Sequence, residues 1–382
     1  MLTTTNKRRN LVFIAVVSAI TLVLAFLPTG FDNPSLVENT LYEKAEVVST
    51  DDAALSTISV VTIGNQKLRI KVLSGKFDGQ EFDADNILNG QKNIDKIFKP
   101  GDRVLAVINT DPTGEKVIGI RASEYYRSGI EIFLVAVFVI ALLAFAGITG
   151  VKAIISFIFT ALAFWKILLP MYLNGVSPIP AALLMAFLSS AVIILLVVGV
   201  DRKGITAVLG AASGIAFTAV VSFVSSHWFR IPGTVQDYSE ALIYSGFNLN
   251  LSEIFISAVF ISAAGALMDV ATDIAASIDE IHSRRPDLPR RELMISGFKI
   301  ARPVIGSATT TLLFAYSGGF MFAFMAFMAK GVPFVSIFNS NYISAEILHT
   351  MVGSLGLVLT APLTAVIGAV MYGKKKNLLP ST

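Results

Sequence analysis

Apolar runs of about the length of a bilayer crossing fill most of this chain, and nothing else in it constrains the fold as strongly. They cover about 129–149, 151–170, 179–200, 205–227, 251–275, 298–328 and 346–372. An eighth, "LVFIAVVSAITLVLAFLP", follows the basic "NKRRN" near the start. A segment in hydrocarbon has no water to satisfy its N–H and C=O groups, so runs of this length are helices. With 54% hydrophobic residues and a mean hydropathy of +0.70, the chain is too apolar for an ordinary soluble domain. The expectation is a polytopic α-helical membrane protein of about eight transmembrane helices with a small extracytoplasmic β domain.

The first run has the basic flank of a secretory signal, but it ends in Leu27-Pro28-Thr29-Gly30 without a small-x-small cleavage site, so an uncleaved anchor is expected. Residues 31–127 form the one polar stretch of any size. Five segments in it alternate with period two: "YEKAEVVS", "STISVVTI", "QKLRIKVLSG", "DRVLAVIN" and "EKVIGIRAS". Gly64-Asn65, Asp78-Gly79 and Asp111-Pro112-Thr113-Gly114 are the expected turns. A small antiparallel barrel or sandwich follows. The expected organisation is a tail and first anchor at 1–30, the β-rich domain at 31–127, a seven-helix domain at 128–373 and a basic tail at 374–382.

If eight crossings are counted, Lys7, Arg8, Arg9, Lys152, Arg202, Lys203, Arg284, Arg285, Arg290, Arg291, Lys374, Lys375 and Lys376 all fall on one side. By the positive-inside rule that side is the cytoplasm. Both termini are therefore expected inside, at a bacterial cell membrane, with the β domain outside. These basic clusters are short and juxtamembrane, so no nucleic acid is expected. The expected partners are the lipid bilayer and an unknown protein or transported substrate, including a second family member.

One hydrophobic segment carries carboxylates. In "GALMDVATDIAASIDEI", Ser262, Asp269, Asp273, Ala276 and Glu280 share one helical face, with Asp279 off it. An ionisable group inside hydrocarbon costs several kcal/mol and marks function by default. If the span begins at Leu251 the helix leaves the membrane near Asp269; if it begins near Ser257, Asp269 lies well within. The next run places Arg302, Gly306, Thr309, Thr310 and Leu313 on one face, with Pro303 expected to kink it. A short inner loop makes the two helices antiparallel neighbours. Asp269, Asp273, Glu280, Arg302, Thr309 and Thr310 are thus proton-relay candidates, with Gly265, Pro303 and Gly306 shaping the helices.

The whole-chain layout, with "MDVATDIAASIDEI" and "GSATTTLLFAYSGG", resembles the YibE/F family of bacterial membrane proteins. That likeness implies a topology but no reaction. Residues about 251–320 are also similar to the transmembrane core of the SecD/SecF factors and the wider RND superfamily. There a glycine four residues before an aspartate, an acidic inner end and an Arg-x-x-x-x-Ser-x-Thr-Thr run before Gly-Gly recur. Gly265, Asp269, Glu280, Arg302, Ser307, Thr309, Thr310 and Gly318-Gly319 match the pattern, while Pro303 and Gly306 depart from it. The likeness implies that Asp269 and Arg302 couple proton flow to work.

Other chemistries are poorly served. There is no cysteine, the three histidines are scattered, and no phosphate-binding glycine loop is present. An intramembrane aspartyl protease needs aspartates on two facing helices. Glu346 and His349 have the Glu-x-x-His spacing of bundle metal sites, but a single copy is better read as interface polarity. No enzyme activity, metal or cofactor is expected. Gly210 and Gly214 read as a small-xxx-small packing pair. The function expected is proton-coupled transport or an accessory role in translocation. The alternative is a non-transporting scaffold whose external β domain recruits a partner.

Overall fold

The computed structural model describes residues 4–31 and 39–374, apart from the side chains of residues 4–7. Lys7 has no described side chain, and Lys375 and Lys376 lie outside the described residues. The chain folds as two compact units, 31–144 and 1–30 with 145–382.

The first unit is built on six strands: β1 Thr40–Asp51, β2 Leu55–Ile58, β3 Val61–Val72, β4 Glu81–Asn89, β5 Arg103–Thr110 and β6 Val117–Tyr125. Their order is β1-β5-β6-β4-β3-β2, and β1 also pairs with β3, so five strands close on themselves. All pairings are antiparallel except β4 with β6. With β2 set aside as a side hairpin, this is the strand order of an OB-type Greek-key barrel. Alternate residues fill the interior, among them Ala45, Val47, Leu68, Ile70, Val104, Ile108 and Phe98. Gln66 is fully buried, yet its amide donates to Asp52 (2.8 Å) and to the Phe98 carbonyl (2.9 Å) and accepts from Asn86 and the Phe98 N–H. A satisfied buried amide rigidifies a core, whereas an unsatisfied one would cost about 1–3 kcal/mol.

The strand expectations need three corrections. "STISVVTI" is a hairpin rather than one strand, because Ser59 takes a left-handed φ of 57° between β2 and β3. Gly64-Asn65 is not a turn: both residues lie inside β3, where any side chain on Gly64 would strike the Ala54 carbonyl oxygen. The strand β4, "EFDADNILN", has no counterpart among the five expected segments. Its Asp83 and Asp85 disfavour a strand reading but point outward, onto Arg69 (3.0 Å) and Lys67 (2.6 Å). The turn at Asp111 forms as expected. The Lys116 N–H, the Thr113 hydroxyl and the Glu115 N–H all donate to its carboxylate and hold it below the usual range.

Helices make up the rest: α1 Thr4–Phe26, α2 Ser128–Ala163, α3 Leu169–Leu173, α4 Pro178–Val197, α5 Arg202–Phe229, α6 Ser239–Tyr244, α7 Leu251–Arg284, α8 Arg290–Ala329, α9 Phe334–Phe338 and α10 Asn341–Tyr372. Seven helical runs among the described residues are long and apolar enough to cross a membrane. One of them, Ser128–Leu173, has 46 residues, about 69 Å at ~1.5 Å per residue, twice the ~30 Å of hydrocarbon. Gly147 (φ 52°, ψ −127°) breaks it, so the two expected runs are joined in one helical stretch that is interrupted, not continuous. A π turn, Phe164–Leu168, precedes Pro170, which has no N–H to donate.

The helical unit is organised by a seam between α5 and α10. Thr206, Gly210, Gly214 and Thr218 of α5 face Gly368, Thr364, Thr360 and Gly356 of α10. Each step of four residues forward on one helix matches a step of four backward on the other, so the helices are antiparallel. Every threonine hydroxyl bonds a carbonyl of its own helix, at 2.7 to 2.8 Å. The seam therefore buries no unsatisfied donor, and the glycines let the backbones approach. Helix α7 packs against α4, α5, α8 and α10.

Hydrogen bonds tie together one end of this bundle. Arg9 donates to the Val200 carbonyl (2.6 Å) and Asn10 accepts from the Val200 N–H (2.9 Å), joining α1 to the α4–α5 turn. Arg290 donates to the Gly373 carbonyl (3.1 Å), joining the α7–α8 turn to the end of α10. The Thr206–Gly368 step connects the two pairs. Arg8, Arg9, Arg202, Lys203, Arg284, Arg285, Arg290, Arg291 and Lys374 thus collect at one end. In the α7–α8 turn the Arg285 guanidinium holds the Asp287 carboxyl down to about 2.

Gly214→Ala is expected to lower the stability of the helical unit by about 1–3 kcal/mol, because its Cβ would land on the Thr360 hydroxyl and 3.0 Å from Leu267. Thermal unfolding in detergent reads this out. In a Thr360→Gly background the same change should cost less; equal costs in the two backgrounds would refute the seam.

Candidate functional site

Helix α7 is amphipathic in an unusual sense. Its buried residues face α4, α5 and α10, while Ala258, Ser262, Gly265, Asp269, Asp273, Ala276 and Glu280 form an exposed stripe at spacings of three and four. At 100° per residue these seven side chains fall within about 80° of each other. Asp269 stands just past the midpoint of the 34-residue helix. The helix begins at Leu251 and continues for four turns beyond Asp269 to Arg284.

Helix α8 borders the stripe. The Tyr316 hydroxyl donates to Ser262 Oγ (3.2 Å), and Gly297 packs beside Ile278. These two contacts fix the register: Arg302 lies level with Asp273, and Gly306 to Thr309 lie level with Asp269. Arg302, Thr309 and Tyr316 recur every seven residues and so share the side of α8 that borders the groove.

The relay candidates are thus brought to one groove but not into contact. Asp269, Asp273 and Arg302 are exposed, and their charged groups form no ion pair or hydrogen bond with another described residue. Glu280 does have a partner, Arg284 at 2.7 Å on its own helix. Thr309 donates to the Ile305 carbonyl (2.8 Å) and Thr310 to the Gly306 carbonyl (3.2 Å), so neither hydroxyl is directed at an acid. The helix runs on through Pro303. A side chain on Gly265 or Gly306 would meet no atom within 4 Å, so neither glycine packs within the chain.

Sequence reasoning passed over the end of the groove away from the basic cluster. His349 of α10 hydrogen-bonds Ser262 through Nε2, and its ring lies 4.6 Å from that of Tyr316. Ser262, Tyr316 and His349 form a three-helix polar cluster two turns from Asp269. Glu346, one turn before His349, lines a small cavity of about 80 Å³ with Thr350, whose buried hydroxyl has no partner. The usable signal was a polar residue at similar depth in three successive long spans. The Glu-x-x-His pair reads as interface polarity, and His349 does bond across helices, but the spacing does not indicate its partners.

The family model for YibE/F-like proteins matches residues 134–374, and that for the YibE/F family N-terminal domain matches 41–121. The first match covers more than half of the chain, which therefore belongs to the YibE/F-like family. The SecD/SecF and RND likeness draws no support from these matches. Comparison with curated proteins and with solved structures returns no match.

Ser262→Ala removes a group shared by Tyr316 and His349 and is expected to destabilise the helical unit by about 1–2 kcal/mol in thermal unfolding. Ser262→Thr, which keeps the hydroxyl, should cost less. Indifference to both changes would dissolve the cluster as an energetic unit.

Proposed function

We propose that this YibE/F-like chain is a multi-pass protein of the bacterial cell membrane that couples proton or ion movement along the α7–α8 groove to transport or to a translocation step. One observation carries the reading. The groove holds unpaired carboxylates past the midpoint of one long apolar helix and, level with them, an arginine on the next, and such groups are rare in apolar helices unless they serve a pathway. His349, Tyr316 and Ser262 would admit protons at one end, Asp269 and Asp273 would pass them on, and Glu280 would release them at the basic end. Arg302, level with Asp273, would bias which carboxylate is charged. The chain itself supplies no catalytic chemistry in this reading.

The gathering of basic residues at one end supports a cytoplasmic assignment for that end and for both termini. Helix α1 leaves that end, and the run after Gly147 departs from it again toward α4. Residues 128–146 would then make a crossing of their own, which brings the total to eight and puts the barrel outside the cell. A non-transporting scaffold is the second reading. It is favoured by the barrel topology, whose β3–β4 face serves as a binding surface in other barrels of this type.

In proteoliposomes with an imposed pH gradient, Asp269→Asn should abolish gradient-dependent flux while the protein still inserts and folds. Asp279→Asn, off the stripe, should leave flux within about twofold. Equal behaviour of the two would favour the scaffold.

Cysteines placed at Asp78 and Glu115, on exposed turns of the barrel, should react in intact cells with a membrane-impermeant thiol reagent. Protection of both would overturn the sidedness.

A further inference from the structure

We propose that two copies of this chain pair through the α7–α8 groove, about a two-fold axis along the membrane normal. Three observations converge on this occupant. First, the groove is charged on both sides without being neutralised: Asp273 on α7 and Arg302 on α8 lie level, are exposed, and form no ion pair among the described residues. A two-fold axis along the normal preserves depth, so Arg302 of each copy meets Asp273 of the other at its own level. Second, the helix orientations fit. With α7 and α8 antiparallel, the rotation sets them beside a second antiparallel pair, as in an up-down-up-down four-helix bundle in which every neighbour is antiparallel.

Third, the glycines divide into two groups. Gly210, Gly214, Gly297, Gly356 and Gly368 each have a neighbour that a Cβ would strike. Gly265 and Gly306 have open space instead, as do Gly318 and Gly319 further along α8, on two long helices where glycine costs about 1 kcal/mol relative to alanine. Small residues facing outward in a membrane helix permit close approach of another helix. Lipid does not fit this surface, since hydrocarbon offers nothing to Asp269, Asp273 or Arg302. Pairing does not depend on proton coupling: a dimer without flux, or flux from a monomer, are both readable outcomes.

The chain has no cysteine, so crosslinks can be introduced cleanly. Ala276→Cys and Lys299→Cys flank the Asp273–Arg302 level and are both exposed. They are placed on separate, differently tagged copies and co-expressed. Mild oxidation in membranes should give a disulfide band carrying both tags, absent when either copy is expressed alone with the unsubstituted chain. In parallel, Asp273→Arg should weaken self-association in nanodiscs tenfold or more, and adding Arg302→Asp on the same chain should restore it. No mixed band together with a one-chain mass for the unsubstituted protein overturns the proposal. So does a double variant that associates no better than the single one, or a band joining the chain to a different protein at these positions.

Discussion

The contact on which the helical unit depends is the fit of threonine side chains into glycine notches between α5 and α10. The order Thr-Gly-Gly-Thr on one helix meets Gly-Thr-Thr-Gly on the other. Between apolar helices in lipid there is little hydrophobic gain from association, so packing of this kind must supply the attraction. The seam fixes how close the two backbones lie, and Leu267 of α7 packs into it beside Gly214. Once α7 is seated by its buried face, its remaining stripe has only one direction to point, outward beside α8.

The groove follows from that placement. No residue on the stripe is large enough to cover its neighbours, and the carboxylates of Asp269 and Asp273 have no partner among the described residues. The arrangement leaves charged groups exposed along long apolar helices, without a partner among the described residues. A membrane protein does not keep such a surface by chance, because each of these residues works against insertion.

Much of this was legible in the sequence. The apolar runs gave the helices their type and approximate extent, and period-two alternation gave four of the six strands a recognisable core. The α7 stripe could be drawn from spacing alone, since a helical period is rigid. The failures share a cause. Strand β4 was hidden because its acidic residues are satisfied by lysine and arginine on the neighbouring strand, which is a non-local fact. Gly64 looked like a turn because a glycine needed for close approach to Ala54 carries the same letter as one needed for reversal. The coupling of Arg302 with Asp269 rested on the family likeness. The register set by Gly297 and Tyr316 puts Arg302 at the level of Asp273 instead. His349 was set aside because its partners, Ser262 and Tyr316, are 87 and 33 residues away along the chain.

The position of α10 along the chain has a consequence for biogenesis. During synthesis α5, α7 and α8 emerge before the helix that packs against all three. Until α10 arrives, Gly210 and Gly214 face no threonine, and the buried side of α7 lacks one of its walls. On the membrane-spanning reading, the hairpin bearing Asp269, Asp273 and Arg302 would enter the bilayer while its surroundings are incomplete. An insertion factor that shelters the hairpin, or a delay in its lateral release, would keep those charges out of lipid until the seam closes. Truncation before α10 would leave an intermediate that membrane quality control can recognise by its unshielded acids.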